Sequence, residues 1–218
     1  MPLHAILDFS VLQTFMEVLA TLAFAISGML EAARKRLDMV GVCVVTGLAA
    51  FGGGTLRDIL LDRRPFFWVQ HSEWLWAMLA LCAFAMLTLR GRHFKLTEQA
   101  VLLPDALGLG LYSASGTQIA LAMELPAIVA VLMGVITAVF GGVLRDIVCN
   151  EIPNAFRDHR PYAVCAFIGT WLLVLAHTLN APDWMGLTAG AATTVVLRGL
   201  ALWIGYQLPS WNPGSTSD

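Results

Sequence analysis

The sequence predicts an all-α integral membrane protein with seven transmembrane helices, arranged as two inverted three-helix repeats plus a seventh helix. Three observations predict it. Of 218 residues, 58% are hydrophobic and only 13% charged, against roughly 25% charged in an average soluble domain, and the mean hydropathy is +0.72. One phrase, Gly-Gly-x-Leu-Arg-Asp, occurs twice inside apolar segments, as Gly53-Gly54-Thr55-Leu56-Arg57-Asp58 and as Gly141-Gly142-Val143-Leu144-Arg145-Asp146. Basic residues, finally, alternate between high and low density from one loop to the next.

The offset between the two phrases is 145 − 57 = 88. Held fixed without a gap, it also pairs Leu19 with Leu107, Ser27 with Ser115, Gly28 with Gly116, Ala32 with Ala120, Ala50 with Ala138, Ile59 with Ile147 and Pro65 with Pro153. The chain therefore contains an internal duplication. A span needs about 20 mostly apolar residues, and seven segments come near that length: Val11–Leu30, Met39–Leu61, Trp74–Leu89, Ala100–Ala122, Pro126–Cys149, Pro161–Leu179 and Trp184–Tyr206. The third is short, and Asp105, Gly108 and Gly110 weaken the fourth, but the repeat requires a span at each place. Ala23-Phe24-Ala25 resembles a signal cleavage site. No Lys or Arg precedes it, however, and Ser27-Gly28 is matched in the second repeat, so the segment is expected to be retained as the first span.

Loop charge sets the orientation. The first, third and fifth connections carry Arg34, Lys35 and Arg36, then Arg90, Arg92 and Lys95, then Arg157 and Arg160; the even ones carry only Arg63 and Arg64. The rule that basic loops stay inside places the N-terminus outside and the C-terminus in the cytoplasm. A three-span repeat must begin its second copy on the opposite side, so the halves (residues 11–89 and 100–179) are inverted, with 184–206 left over. Residues 1–218 read as a single membrane domain of the inner, or plasma, membrane. Phe66, Phe67, Trp68, Trp74 and Trp76 fit one interface and Tyr206 and Trp211 another, and the polar tail 212–218 is expected to be disordered.

Paired helix-breaking glycines beside ions, in corresponding halves, point to a permeation or binding site. Gly52, Gly53, Gly54, Gly141 and Gly142 are expected to bend or unwind spans two and five, freeing carbonyls that can coordinate a cation in a water-filled path. The same glycines would equally let helices pack closely. Arg57, Asp58, Arg145 and Asp146 follow them. They either face two polar vestibules or pair with one another near headgroups as structural glue. Glu17 and Asp105 also align by the offset and can attract cations or answer an arginine; Ser27 and Ser115 can hydrogen bond in a pore or at a helix contact. Arg198 has no repeat partner and either pairs with an acid or snorkels.

Several functions are excluded. His71, His93, His159 and His177 are isolated, with no HExxH or His-carboxylate cluster, and no GxSxG, Walker sequence or dinucleotide fingerprint occurs. No enzyme, cofactor or structural metal is expected. The net charge of −2 and the absence of a basic stripe argue against a nucleic-acid partner. Cys43, Cys82, Cys149 and Cys165 all lie in apolar stretches and read as buried fillers.

Two inverted three-helix repeats plus a seventh helix, with Gly-Gly-Gly in span two and Gly-Gly in span five, resemble the prokaryotic trimeric intracellular cation (TRIC) channels over roughly residues 10–206. The resemblance implies a homotrimer in membrane lipid, each protomer with its own pore for K⁺ and also Na⁺, lined by kinked helices two and five. Transient K⁺ or Na⁺ would then pass Gly52, Gly53, Gly54, Gly141 and Gly142. Animal members bind an inositol lipid through basic residues on the fourth span; Ala100–Ala122 has none, so that regulation is not carried over. The bacterial family is also labelled a glycine transporter domain. A secondary transporter or exporter of glycine or another small amino acid is therefore the alternative to a passive channel.

Overall fold

A computed structural model describes residues 3–89, 98–157 and 161–207. Among them are nine helices and no strand: α1 (Leu3–Arg34), α2 (Met39–Leu60), α3 (Phe67–Gln70), α4 (Glu73–Leu89), α5 (Glu98–Ala122), α6 (Ala127–Val148), α7 (Asn154–Arg157), α8 (Ala163–Thr178) and α9 (Asp183–Ile204). α1 starts before the expected Val11, since neither Pro nor Gly interrupts the chain between Leu3 and Gly28. The one-turn helices α3 and α7 were not foreseen. Arg90, Arg92, Lys95, His93, His159, Arg160, Trp211 and the tail 212–218 lie outside the described residues.

The turns repeat as the sequence does. Arg36 (φ 56°) and Glu124 (φ 57°) follow α1 and α5 in the left-handed region, and Asp62 (φ 50°) and Asn150 (φ 57°) follow α2 and α6. Each pair keeps the 88-residue offset, although no glycine marks either position. Matching hydrogen bonds close them: Leu37 N–H donates to the Ala32 carbonyl (3.1 Å) and Leu125 N–H to Ala120 (3.2 Å), while Arg63 N–H donates to Asp58 (2.8 Å) and Glu151 N–H to Asp146 (2.9 Å). This closure satisfies carbonyls that a helix end otherwise leaves unpaired.

Among the described residues four helices are long and apolar enough to cross a membrane: Val11–Arg34, Met39–Leu60, Ala127–Val148 and Asp183–Ile204. α4 and α8 are apolar but have 17 and 16 residues. α5 has the length, 25 residues, without the hydropathy. The reason is its position: α5 packs on α1, α6, α8 and α9. Its Asp105, Ser113, Ser115, Thr117 and Gln118 are buried in protein, so it need not be apolar on every side. At the centre Phe24 of α1 stacks on Tyr112 of α5, ring centres 5.6 Å apart, again one residue and its repeat mate. α9 lies against α5 and α8 through small residues: a Cβ on Gly110 would come within 2.7 Å of the Ala191 carbonyl oxygen, and one on Gly190 within 2.9 Å of that of Gly169.

Candidate functional site

The two arginines of the repeated phrase are buried, Arg57 0% and Arg145 1% exposed, and each is answered twice. Arg57 Nη1 donates to Glu17 Oε1 on α1 (2.5 Å) and Nε to Asp58 Oδ1 (2.9 Å). Arg145 Nη1 donates to Asp105 Oδ1 on α5 (2.7 Å) and Nε to Asp146 Oδ1 (2.8 Å). Serines cross between the halves. Ser115 Oγ donates to Glu17 Oε1 (3.1 Å), whereas Ser27 Oγ accepts from Arg145 Nη1 (2.5 Å) and donates to the Val101 carbonyl (3.2 Å). Each cluster thus sets two carboxylates against one buried guanidinium; a second cation, the half-exposed Arg63, balances the first, so that among the described residues only the second keeps a formal charge of −1. Arg63 stands 3.6 Å from Asp58 Oδ1, while Asp105 Oδ2 is buried without a hydrogen-bond partner among the described residues. A surplus carboxylate beside polar groups attracts a cation.

Between the clusters α2 crosses α6 at the glycines. A Cβ on Gly53 would overlap the Thr137 carbonyl oxygen, and one on Gly141 the Ala49 carbonyl oxygen. Gly53 and Gly141 are repeat mates, as are Ala49 and Thr137. The expected unwinding is not observed: α2 and α6 are helical through the glycines. The missing side chains serve instead to bring the two backbones into contact, which only glycine permits here.

Aromatic and backbone groups close each cluster from its loop side. Phe67 N–H of α3 donates to Asp58 Oδ2 (3.2 Å), and Asn154 N–H of α7 to Asp146 Oδ2 (2.8 Å). The Phe67 ring covers Gly54, where a Cβ would lie 2.5 Å from it, and the Arg57 guanidinium sits 5.8 Å from the ring centre. Gly142 is covered differently: a Cβ there would lie 3.2 Å from the Tyr162 hydroxyl, 3.5 Å from Asp105 Oδ1 and 3.7 Å from Arg145 Nη2. Tyr112 OH donates to the Ala50 carbonyl (2.8 Å) and is also hydrogen-bonded to Thr21 Oγ1 (2.7 Å).

All the expected polar residues therefore converge: Glu17, Arg57, Asp58 and Ser115 in one cluster, Ser27, Asp105, Arg145 and Asp146 in the other. The arginines do not snorkel, because their carboxylate partners lie inside the bundle. Arg198 does not snorkel, and among the described residues it meets no acid. It is 1% exposed, and its described partners are the Pro161 carbonyl (Nη1, 3.2 Å) and the face of Tyr162 (4.8 Å). Phe67, expected at a membrane interface, points onto Gly54. Reading residue types alone missed Tyr112 and Tyr162; the pairing of Tyr112 with Phe24 by the repeat offset was the available signal. The described cysteines are free, with Cys82, Cys149 and Cys165 buried and Cys43 half-buried.

Fold and clusters together define a multi-pass helical membrane protein with buried ions in each half. The family model described as glycine transporter matches residues 14–90 and again 102–178, at the same offset as the repeated phrase. A UPF0126 membrane protein of Vibrio cholerae is 34% identical over 205 residues, 94% of this chain and 84% of that one. A TRIC trimeric intracellular cation channel orthologue from Rhodobacter sphaeroides matches in structure with TM-score 0.82 and 31% identity, over 89% of this chain and 99% of its own. A structure described as a basis for conductance through TRIC cation channels matches with TM-score 0.81 and 32% identity, over 93% and 98%. The chain belongs to this glycine transporter (TRIC) family and has the fold of the TRIC channels.

Proposed function

We propose that the protein is a passive cation channel, carrying K⁺ and also Na⁺, with one path in each protomer of a homotrimer. The observation that carries this is the pair of buried carboxylate–arginine clusters, the second with a surplus carboxylate, on either side of the α2–α6 glycine crossing. The similarity to TRIC channels supports it. The path runs along α2 and α6 past Gly52, Gly53, Gly54, Gly141 and Gly142, with Glu17, Asp58 and Ser115 flanking one side and Ser27, Asp105 and Asp146 the other. In the packing described above the glycines are in contact, so conduction requires α2 and α6 to bend apart there.

The organisation proposed for this function is a single membrane domain, residues 1–218, in the inner membrane. Residues 11–89 and 100–179 form inverted repeats, α9 is the seventh span, and the N-terminus is outside. α4, α5 and α8 then span with the others. Purified protein in planar bilayers under a K⁺ gradient is expected to give resolvable unitary currents that reverse near the K⁺ potential. A second reading, slow export of glycine, is favoured by the family's description. Saturable glycine flux from proteoliposomes, without unitary currents, would replace the channel by alternating access.

A further inference from the structure

We infer that Arg198 of α9 is a positioning residue that latches Tyr162 over Gly142 and so holds the second ion cluster shut. Among the described residues the first half has no such latch. The proposal rests on the channel reading above for its consequence, but its geometry stands apart. Arg198 lies outside the duplicated segments and 1% exposed. Its guanidinium stacks 4.8 Å from the Tyr162 ring centre, and Nη1 donates to the Pro161 carbonyl at 3.2 Å. It thereby grips two consecutive residues at the start of α8. Tyr162 in turn presents its hydroxyl to Gly142, beside Asp105 Oδ1 and Arg145 Nη2.

Arg198 Nη2 is buried without a hydrogen-bond partner among the described residues. The repeat mate of Tyr162 is Trp74, which has no hydroxyl and packs against the apolar cluster of Ala25, Ala50 and Phe51. The mate of Gly142, Gly54, is covered by Phe67 of α3. Both halves cover their glycine, yet among the described residues only the second is held from outside the repeat. Release of Tyr162 would uncover Gly142 and Asp105 Oδ2, which has no hydrogen-bond partner among the described residues, admitting water and cations to that cluster alone.

The test uses Cys165 as an internal reporter. Its thiol is buried and donates to the same Pro161 carbonyl at 3.1 Å. With Cys43, Cys82 and Cys149 replaced by alanine, a water-soluble methanethiosulfonate reagent should label Cys165 slowly in the parent. In Arg198→Gln labelling should be about tenfold faster or more, since a desolvated cation–π contact is lost. Arg198→Lys, which keeps the cation over the ring, should stay near the parent. In bilayers, Arg198→Gln and Tyr162→Phe should each raise open probability, and the double variant should add little to either.

Unchanged Cys165 labelling in an assembled Arg198→Gln protein would overturn the latch, and so would additive effects of the two substitutions. If Arg198→Gln does not assemble, Tyr162→Phe decides, because wild-type open probability in that variant also overturns it. Accelerated labelling with no current from any form, the parent included, would retain the latch and discard the channel.

Discussion

At the residue scale the absent atoms matter as much as the charged ones. Gly53 and Gly141 each rest on a backbone carbonyl of the opposite helix, and a carbonyl cannot rotate away as a side chain can. Gly53→Ala and Gly141→Ala are expected to destabilise by about 1–3 kcal/mol each, the range for overpacking; a leucine would part α2 from α6 rather than plug an intact pore. Gly199 has nothing within 4 Å of its Cβ position, so Gly199→Ala should be neutral or gain up to about 1 kcal/mol of helix propensity. Thermal unfolding in detergent, comparing the three, checks this; equal shifts would show that the crossing is looser than described. The ions carry a sign of their own. Arg57→Gln leaves Glu17 and Asp58 with no buried cation, only the half-exposed Arg63 beside Asp58, whereas Asp58→Asn leaves a balanced Arg57–Glu17 pair. Arg57→Gln should therefore cost about 3–5 kcal/mol and Asp58→Asn clearly less, with the same order for Arg145→Gln and Asp146→Asn. If the asparagine variants assemble, their cation conductance should fall most at low ionic strength, where a lost carboxylate is least screened.

At the element scale, α3 and α7 tie loops to ions through single amide groups, Phe67 N–H on Asp58 and Asn154 N–H on Asp146. The ties are repeat mates displaced by one residue, and this slip lets Phe67 cover Gly54 while Tyr162 takes the matching task beyond α7. A second connection joins the turn after α1 to the turn after α6, where Lys35 pairs with Glu151. Both side chains are partly exposed, 28% and 29%, so the pair contributes no more than about 1 kcal/mol. Lys35→Glu should lower stability by that amount or less, and adding Glu151→Lys should restore it. A Lys35→Glu variant that loses assembly outright, or a swap that restores nothing, would mean the turn is held by something else.

At the scale of the whole molecule, each chain holds both clusters and both glycine contacts, so one protomer contains every part of the proposed path. Assembly is then expected to multiply paths rather than create one on the symmetry axis. Native mass measurement should give three copies, and unitary currents should show up to three equal levels; only monomers or dimers, or a single level per trimer, would contradict this. Tags at the two termini should report opposite sides, N-terminal outside and C-terminal inside, by protease accessibility in right-side-out vesicles. Both tags on one side would require an even number of spans.

Composition and the 88-residue offset alone established a helical membrane chain with an internal duplication, because hydropathy and repetition are properties of a sequence read in one dimension. They also aligned Glu17 with Asp105, leaving open whether each attracts cations or answers an arginine; the structure pairs them with Arg57 and Arg145. Only the tertiary structure decided which groups meet across the halves: Ser27 with Arg145, Ser115 with Glu17, Gly53 with Thr137, Gly141 with Ala49 and Arg198 with Tyr162. A glycine in an apolar run has the same local signature whether it unwinds a helix or lets another helix touch it, and what distinguishes the two is the neighbour. The low hydropathy of α5 has the same origin, since polar side chains enclosed by four helices need not satisfy lipid.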